Sequence, residues 1–177
     1  MLTLIGDMLK LSELESAQEI NPVPVSLAAV VNEVSDTMST AINEKSIIFE
    51  TFGDDCMVTA EQGHIYELVK NLIENAVRYN NHGGRVLVVI ESDKNLVRLT
   101  VADNGISIPH EEQARIFERF YRVEKSRSQR SGGTGLGLSI VKHICALYGW
   151  KVSLKSKPGV GTEITVLFEN NKERVTE

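Results

Sequence analysis

Apolar positions recur at helical spacing in three stretches of the chain and alternate in the segments between them. The clearest pattern runs from about Glu61 to Tyr79, where Ile65, Leu68, Val69, Leu72, Ile73 and Ala76 repeat at three- and four-residue intervals and line one side of a helix. A second stripe, Leu27, Val30, Val31, Val34, Met38 and Ala41, follows Ser26, a fitting N-cap for a helix to about Glu44. A third helix, about Leu136 to Tyr148, starts from a cluster of glycines. Strands are predicted at Ile47–Phe52, Cys56–Thr59, Arg85–Glu91 and Leu96–Ala102, the last two joined by the turn Ser92–Asn95. A final hairpin alternates Val152 and Leu154, turns at Pro158–Gly161, and resumes with Ile164, Val166 and Phe168. Three long helices among strand pairs predict an α+β fold, a two-layer sandwich with helices on one face of a mixed, mainly antiparallel sheet.

The remaining segments divide the chain. In the first sixteen residues Leu4, Met8 and Leu11 follow one helical stripe while Leu2, Ile5 and Leu9 follow another, so this helix asks for neighbours on two sides, as in a bundle. Asn21-Pro22-Val23-Pro24 then reads as an extended linker, because a residue before proline is pushed out of the helical region. The boundaries that follow are 1–20 for the leading helix, 21–25 for the linker, 26–170 for the main domain and 171–177 for a tail. Pro109 suits the first turn of a short helix through about Phe117, and the polar stretch from Tyr121 to Gly133 reads as a loop. There is no internal repeat and no low-complexity tract.

Composition narrows the function classes. The chain has 177 residues, 42% hydrophobic and 24% charged, enough for one domain that buries about two-thirds of its unfolded surface. Two cysteines, Cys56 and Cys145, lie far apart and outside any CxxC context, which excludes a disulfide scaffold and a cysteine zinc site. No apolar run reaches the roughly 18 residues of a membrane span, and the start carries Asp7, Glu13 and Glu15 rather than a basic leader, so a cytoplasmic domain is expected. The net charge of −5 argues against nucleic acid as the main partner.

Three clusters carry candidate chemistry. Asn71, Asn75 and Arg78 fall at i, i+4 and i+7, one line opposite the apolar stripe, with Tyr79 at its end. Their amide oxygens suit a hard cation such as Mg²⁺, the arginine a phosphate and the tyrosine an aromatic surface; a solvated polar face is the other reading. The string from Ser131 to Leu138 places Gly132, Gly133, Gly135 and Gly137 just before a helix, where free N–H groups and the helix dipole favour phosphate. Neither common nucleotide pattern fits it. GxGxxG from Gly133 would need glycine where Leu138 stands, and the Gly-Lys-Ser/Thr of a P-loop is absent. Asp103-Asn104-Gly105 at a strand end is either an ordinary turn or a carboxylate acceptor for an exocyclic amino group. Arg119, Arg122, Lys125, Arg127 and Arg130, set against Glu118 and Glu124, make the intervening loop basic, as a lid over a phosphate would be.

In this order the elements resemble the ATP-binding catalytic domain of bacterial sensor histidine kinases. That domain belongs to the superfamily of DNA gyrase, mismatch-repair ATPases and the large heat-shock chaperones, which share the Bergerat-type fold. The resemblance spans about residues 24–170 and rests on four motifs: NLIENAVRYN (Asn71–Asn80), DNGISIP (Asp103–Pro109), RIFERFYRV (Arg115–Val123) and GGTGLGLSIVKHI (Gly132–Ile144). It implies that Asn75 is the Mg²⁺ ligand and Asn71 its helper, that Arg78 meets the phosphates and Tyr79 the base, and that Asp103 reads the adenine amino group. By the same resemblance Gly105 and Ile108 border the base, and Gly133, Thr134, Gly135, Leu136 and Gly137 shape the triphosphate loop. Arg115 matches an arginine that approaches the γ-phosphate, and Phe117, Phe120 and Tyr121 anchor the lid.

The implied cofactors are ATP and Mg²⁺, and the implied reaction is γ-phosphoryl transfer to a histidine for relay to a response regulator aspartate. Where gyrase-like members carry a water-activating glutamate this chain has Asn71, which cannot act as a base, so transfer rather than hydrolysis is implied. None of His64, His82, His110 or His143 has the family's acceptor context, so the acceptor lies on a separate domain, of whose hairpin residues 1–20 resemble the end. The implied partners are that phosphoacceptor domain and a response regulator receiver domain, within a homodimeric, membrane-anchored parent kinase. The first glycine motif has Ser107 where a second glycine is usual, which leaves a catalytically weak or non-enzymatic docking module as the alternative.

Overall fold

A computed structural model describes residues 2–15, 20–93, 96–123 and 133–169. Leu2–Glu15 form α1 and Val23–Ser26 form β1. Leu27–Thr37 form α2, Ser39–Glu44 α3, Ile48–Gly53 β2 and Met57–Ala60 β3. Gln62–Arg78 form α4, Arg85–Asp93 β4 and Leu96–Asp103 β5. A single 3₁₀ turn at His110–Glu112 precedes α5 (Gly137–Tyr148), β6 (Lys151–Lys157) and β7 (Gly161–Glu169).

The five-stranded sheet has the order β2-β4-β5-β7-β6, parallel between β2 and β4 and antiparallel elsewhere. Alternation decides which face is covered. Val86, Val88 and Ile90 on β4, Val97, Leu99 and Val101 on β5, and Ile164, Val166 and Phe168 on β7 are buried toward α2, α4 and α5, while the residues between them face outward. All six apolar positions predicted for α4 are buried, together with Val77. The two-layer α+β sandwich is therefore as the periodicity implies. Trp150, the one tryptophan, closes the far end of this core, stacked 4.4 Å from the Tyr148 ring with Phe168 edge-on at 4.7 Å. Both cysteines are buried, and burial pushes the Cys145 thiol up to about 12, away from the reactive thiolate.

Three local expectations are corrected. The segment read as a linker is extended, but Val23–Ser26 pair antiparallel with Met57–Ala60 in a two-stranded ribbon. Pro24 is tolerated there because this strand has a free edge that asks no N–H of it. The helix that follows Ser26 does start on that residue, whose Oγ accepts from Ala29 N at 3.0 Å. It breaks at Met38, however, after Ser35 and Thr37 turn their hydroxyls back onto Asn32 O and Glu33 O, a bonding pattern that bends helices. Past Pro109 the chain forms a 3₁₀ turn and further turns rather than an α-helix, its N–H groups closing on carbonyls three residues back (Glu112 on Pro109, Arg115 on Glu112, Glu118 on Arg115). The two apolar sides read for α1 fare differently: Leu11 is buried and Leu14 O lies 3.2 Å from His143 Nε2 on α5, whereas Ile5, Met8 and Leu9 are exposed. The boundary residues 16–19, Lys94 and Asn95 of the predicted turn, Glu124, Lys125, Ser126, Arg127, Ser128, Arg130, Ser131 and Gly132 of the predicted lid, and the tail lie outside the described residues.

Ile73 has no exposed surface and sits at the centre of the α4 stripe. Ile73→Ala is expected to cost about 2–5 kcal/mol, read from the urea midpoint at unchanged m-value.

Candidate functional site

Burying the apolar stripe of α4 fixes the direction of its other side. Asn71, Asn75 and Arg78 emerge there half-buried. The Asn71 Nδ2 donates to Glu67 O at 2.8 Å, which locks the amide and leaves Oδ1 directed away from its own helix. Arg78 is held by an ion pair with Glu74, one turn back.

Against this ridge stands the first turn of α5. A Cβ on Gly137 would lie 2.7 Å from Asn71 Oδ1 and 3.6 Å from the Asn75 amide, so a side chain here would crowd the Asn71 amide. The residue before the helix, Leu136, offers no capping side chain, and its N–H turns to Thr134 Oγ1 at 3.3 Å. The Leu136 side chain is fully buried, so only its main chain can take part in a site. Gly133 sits against the end of the ridge, where a Cβ would stand 3.0 Å from Arg78 Nη1, 3.1 Å from Tyr79 Oη and 3.7 Å from Arg122 Nη2. Gly135 O accepts from Phe120 N at 2.9 Å and ties this loop to the RIFERFYRV segment. The arrangement joins two guanidinium groups, a phenol and a helix N-terminus around one glycine loop, which suits a polyanion.

The third wall comes from the end of β5. Asp103 accepts from Gly105 N at 2.9 Å, and Gly105 packs so closely on α4 that a Cβ would stand 2.6 Å from Asn80 Cα. Ile106 N donates to Tyr79 O at 3.0 Å. Burial pushes the Asp103 carboxyl up to about 6, opposed by the N–H groups of Gly105 and Thr162. Ile108 is placed by its main chain: its N–H donates to Ser156 Oγ at 2.8 Å and its carbonyl accepts from Gln113 Nε2 at 3.0 Å. Ser107 Oγ donates to Lys157 O at 2.8 Å, so its hydroxyl is tied to the end of β6.

Of the expected site residues, Asn71, Asn75 and Gly137 come together, Arg78 and Tyr79 meet Gly133, and the turn at Gly105 meets the end of α4, while Ile108 is shown against Ser156 and Gln113 and Gly135 against Phe120. Arg115 stands apart. It is exposed, stacked 4.2 Å over the Tyr121 ring and 3.5 Å from Glu118 Oε2, both on its own segment. The sequence reading missed residues that hold this region together. Asn80 is buried, with Nδ2 on Arg85 O at 2.9 Å and Oδ1 on Asn81 N, and Asn104 Oδ1 accepts from Arg85 N at 2.7 Å. Lys45 Nζ donates to the last carbonyls of α4. Asn80 was visible as a motif member, but nothing in local periodicity marks a lysine whose partners lie 32 or more residues away.

Among the described residues no group of three or more His, Cys, Asp or Glu could hold a metal. A hard cation here would take the amide oxygens of Asn75 and Asn71 and complete its shell from water and a bound phosphate, the sharing that Mg²⁺ favours, so the donor set fits.

Residues 60–172 match the family model described as histidine kinase-, DNA gyrase B- and HSP90-like ATPase. The chain is 33% identical over 165 residues to the sensor-like histidine kinase SenX3 of Mycolicibacterium smegmatis, an alignment covering 92% of this chain and 43% of that one. The chain therefore spans less than half the length of this relative. The mycobacterial sensor histidine kinase MprB superposes with a TM-score of 0.72 at 26% identity, over 84% of this chain and 97% of that one. Full-length ShkA in complex with AMPPNP superposes with a TM-score of 0.80 at 29% identity, over 94% of this chain and 35% of that one.

The raised Asp103 pKa has a definite sign. Between the ordinary value of 3.8 and about 6 the folded state holds a proton that the unfolded state has released, so this group stabilises the fold at low pH and loses that contribution as pH rises through about 6. Urea unfolding should show the stability of the native protein falling relative to Asp103→Asn from pH 4 to pH 6.5 and running parallel to it above; parallel curves throughout would refute the assignment.

Proposed function

The chain belongs to the family of histidine kinase-, DNA gyrase B- and HSP90-like ATPases, and from that premise we propose that it is the ATP-binding catalytic domain of a two-component sensor histidine kinase. The observation that carries the proposal is the contact of Gly137 with Asn71 and Asn75, which sets a helix N-terminus against a polar ridge with Arg78, Tyr79 and Gly133 at one end. That geometry fits a triphosphate lying between α4 and α5, with Asp103 and the Gly105 turn reading the adenine. Asn75, helped by Asn71, would hold Mg²⁺, which when bound neutralises phosphate charge during transfer.

The side chains favour transfer over hydrolysis. Asn71 is a neutral amide with its N–H₂ already bonded to Glu67 O, so the residue at this position cannot activate water as a base. Catalysis then consists of holding the γ-phosphoryl in line while a histidine nitrogen from the phosphoacceptor domain attacks: the new P–N bond forms as the bond to the β-phosphate oxygen breaks and ADP leaves. Arg115, parked on Tyr121 and Glu118, is the cation available to move toward that phosphoryl group. The histidine phosphate is then consumed by the receiver domain of a response regulator. The parent kinase is a homodimer that places this domain on the cytoplasmic side of a membrane; among the described residues no helix is long and apolar enough to cross one. The tie of Ser107 to Lys157 O draws its hydroxyl toward β6, which favours nucleotide binding over the docking-module alternative.

Calorimetric titration with AMPPNP and Mg²⁺ is expected to give saturable binding that Asn75→Ala weakens by about tenfold or more, the scale of a lost metal contact. With labelled ATP and a separate phosphoacceptor hairpin, label is expected on the hairpin histidine faster than free phosphate appears. Steady phosphate release without transfer would overturn the kinase reading.

A further inference from the structure

The end of α4 is capped by a side chain from another part of the chain. Lys45, in the turn between α3 and β2, donates from Nζ to Arg78 O at 2.6 Å, Val77 O at 3.0 Å and Asn80 O at 3.3 Å. The last carbonyls of a helix lack internal partners and gather partial negative charge, so an ammonium satisfies them both as donor and as cation.

The other helix of the site ends differently. After Tyr148, Gly149 takes the left-handed conformation (φ 72) and returns its N–H to Ala146 O, the common glycine cap. At the end of α4 the corresponding positions carry Tyr79 (φ −92, ψ 6) and Asn80. The Tyr79 ring faces Gly133, and the Asn80 amide pins the turn into β4. A glycine at either place would close the helix and delete a side chain that the region uses, and capping from outside removes this conflict. The same lysine also accepts Gly83 N–H on its own carbonyl at 2.8 Å, so it fixes the turn beyond the helix as well. The placement has a cost, since burial and the nearby Arg78 charge both lower the Lys45 pKa.

We propose that Lys45 is a positioning residue of the nucleotide site, holding the last turn of α4 so that Arg78 and Tyr79 face Gly133. The role rests on the nucleotide-binding reading above and goes beyond it to a residue outside the four motifs.

Titration of the 177-residue chain with AMPPNP and Mg²⁺ separates the two claims. Absence of binding to the native protein overturns the nucleotide reading, and the positioning role with it. Given binding, Lys45→Met is expected to weaken it about tenfold, while Lys45→Arg, which keeps the charge and the donors, stays within about threefold. In a chain already carrying Arg78→Ala, Lys45→Met is expected to cost less than about threefold, because one side chain it positions is gone. Unchanged affinity in Lys45→Met, or the full loss repeated in the Arg78→Ala background, overturns the proposal. A variant-free reading guards against a Lys45→Met chain that does not fold: ¹⁵N spectra of the native lysine ammonium groups should contain one slowly exchanging signal that shifts when AMPPNP binds. Lysine signals that all exchange rapidly and ignore the nucleotide overturn it equally.

Discussion

Helix α4 must fill the core with one side and present a defined polar ridge on the other, and the geometry of the region depends on meeting both demands with a single rotation about its axis. Seven buried residues set that rotation. With Ile65, Leu68, Val69, Leu72, Ile73, Ala76 and Val77 fixed against the sheet and its neighbouring helices, Asn71, Asn75 and Arg78 have no freedom to face elsewhere. Apolar packing here does more than stabilise: it aims amide oxygens and a guanidinium to within a fraction of a helical turn.

Two close approaches then turn a polar face into an enclosed region. Gly137 lets the N-terminus of α5 meet the asparagines, and Gly105 lets the loop after β5 meet the end of α4. A methyl group at Gly105 would meet the backbone of Tyr79 and Asn80, and one at Gly137 would displace the Asn71 amide. The hairpin between β6 and β7 supports the third wall from behind, since Ser156 bonds to Ile108 N, Gly161 O and Thr162 Oγ1 at once. Precision thus comes from backbone proximity and from side chains outside the region as much as from the residues that would touch a ligand.

Much of this was legible from the chain, and the boundary of legibility is physical. The stripe of α4, the ridge opposite it, the Ser26 cap and the alternation of β5 and β7 are local patterns with periods of 3.6 and 2, and each is found as read. What escaped depends on contacts distant in sequence. Val23, Pro24 and Val25 fell in the linker reading because their partner strand begins at Met57, and no local pattern marked Lys45, whose acceptors lie across β2 and β3 at the end of α4. The segment after Pro109 carries helix signals but closes its turns three residues back rather than four. Arg115 shows the limit of motif reasoning: a motif marks the residue, but its position against Tyr121 and Glu118 was not in the pattern.

The parallel pairing of β2 with β4 gives the region a thermodynamic address. Strand β2 lies at the edge of its sheet, hydrogen-bonded on one side only, so its opening breaks a single ladder. Lys45 stands three residues ahead of it and anchors Gly83 just before β4. Local unfolding of this edge would free the turn that carries Lys45, so a ligand that required the capped helix would be linked to the closed edge. The linkage would be reciprocal by mass action: a nucleotide bound as proposed above, against α4 and the start of α5, would slow amide exchange in a strand that it never touches.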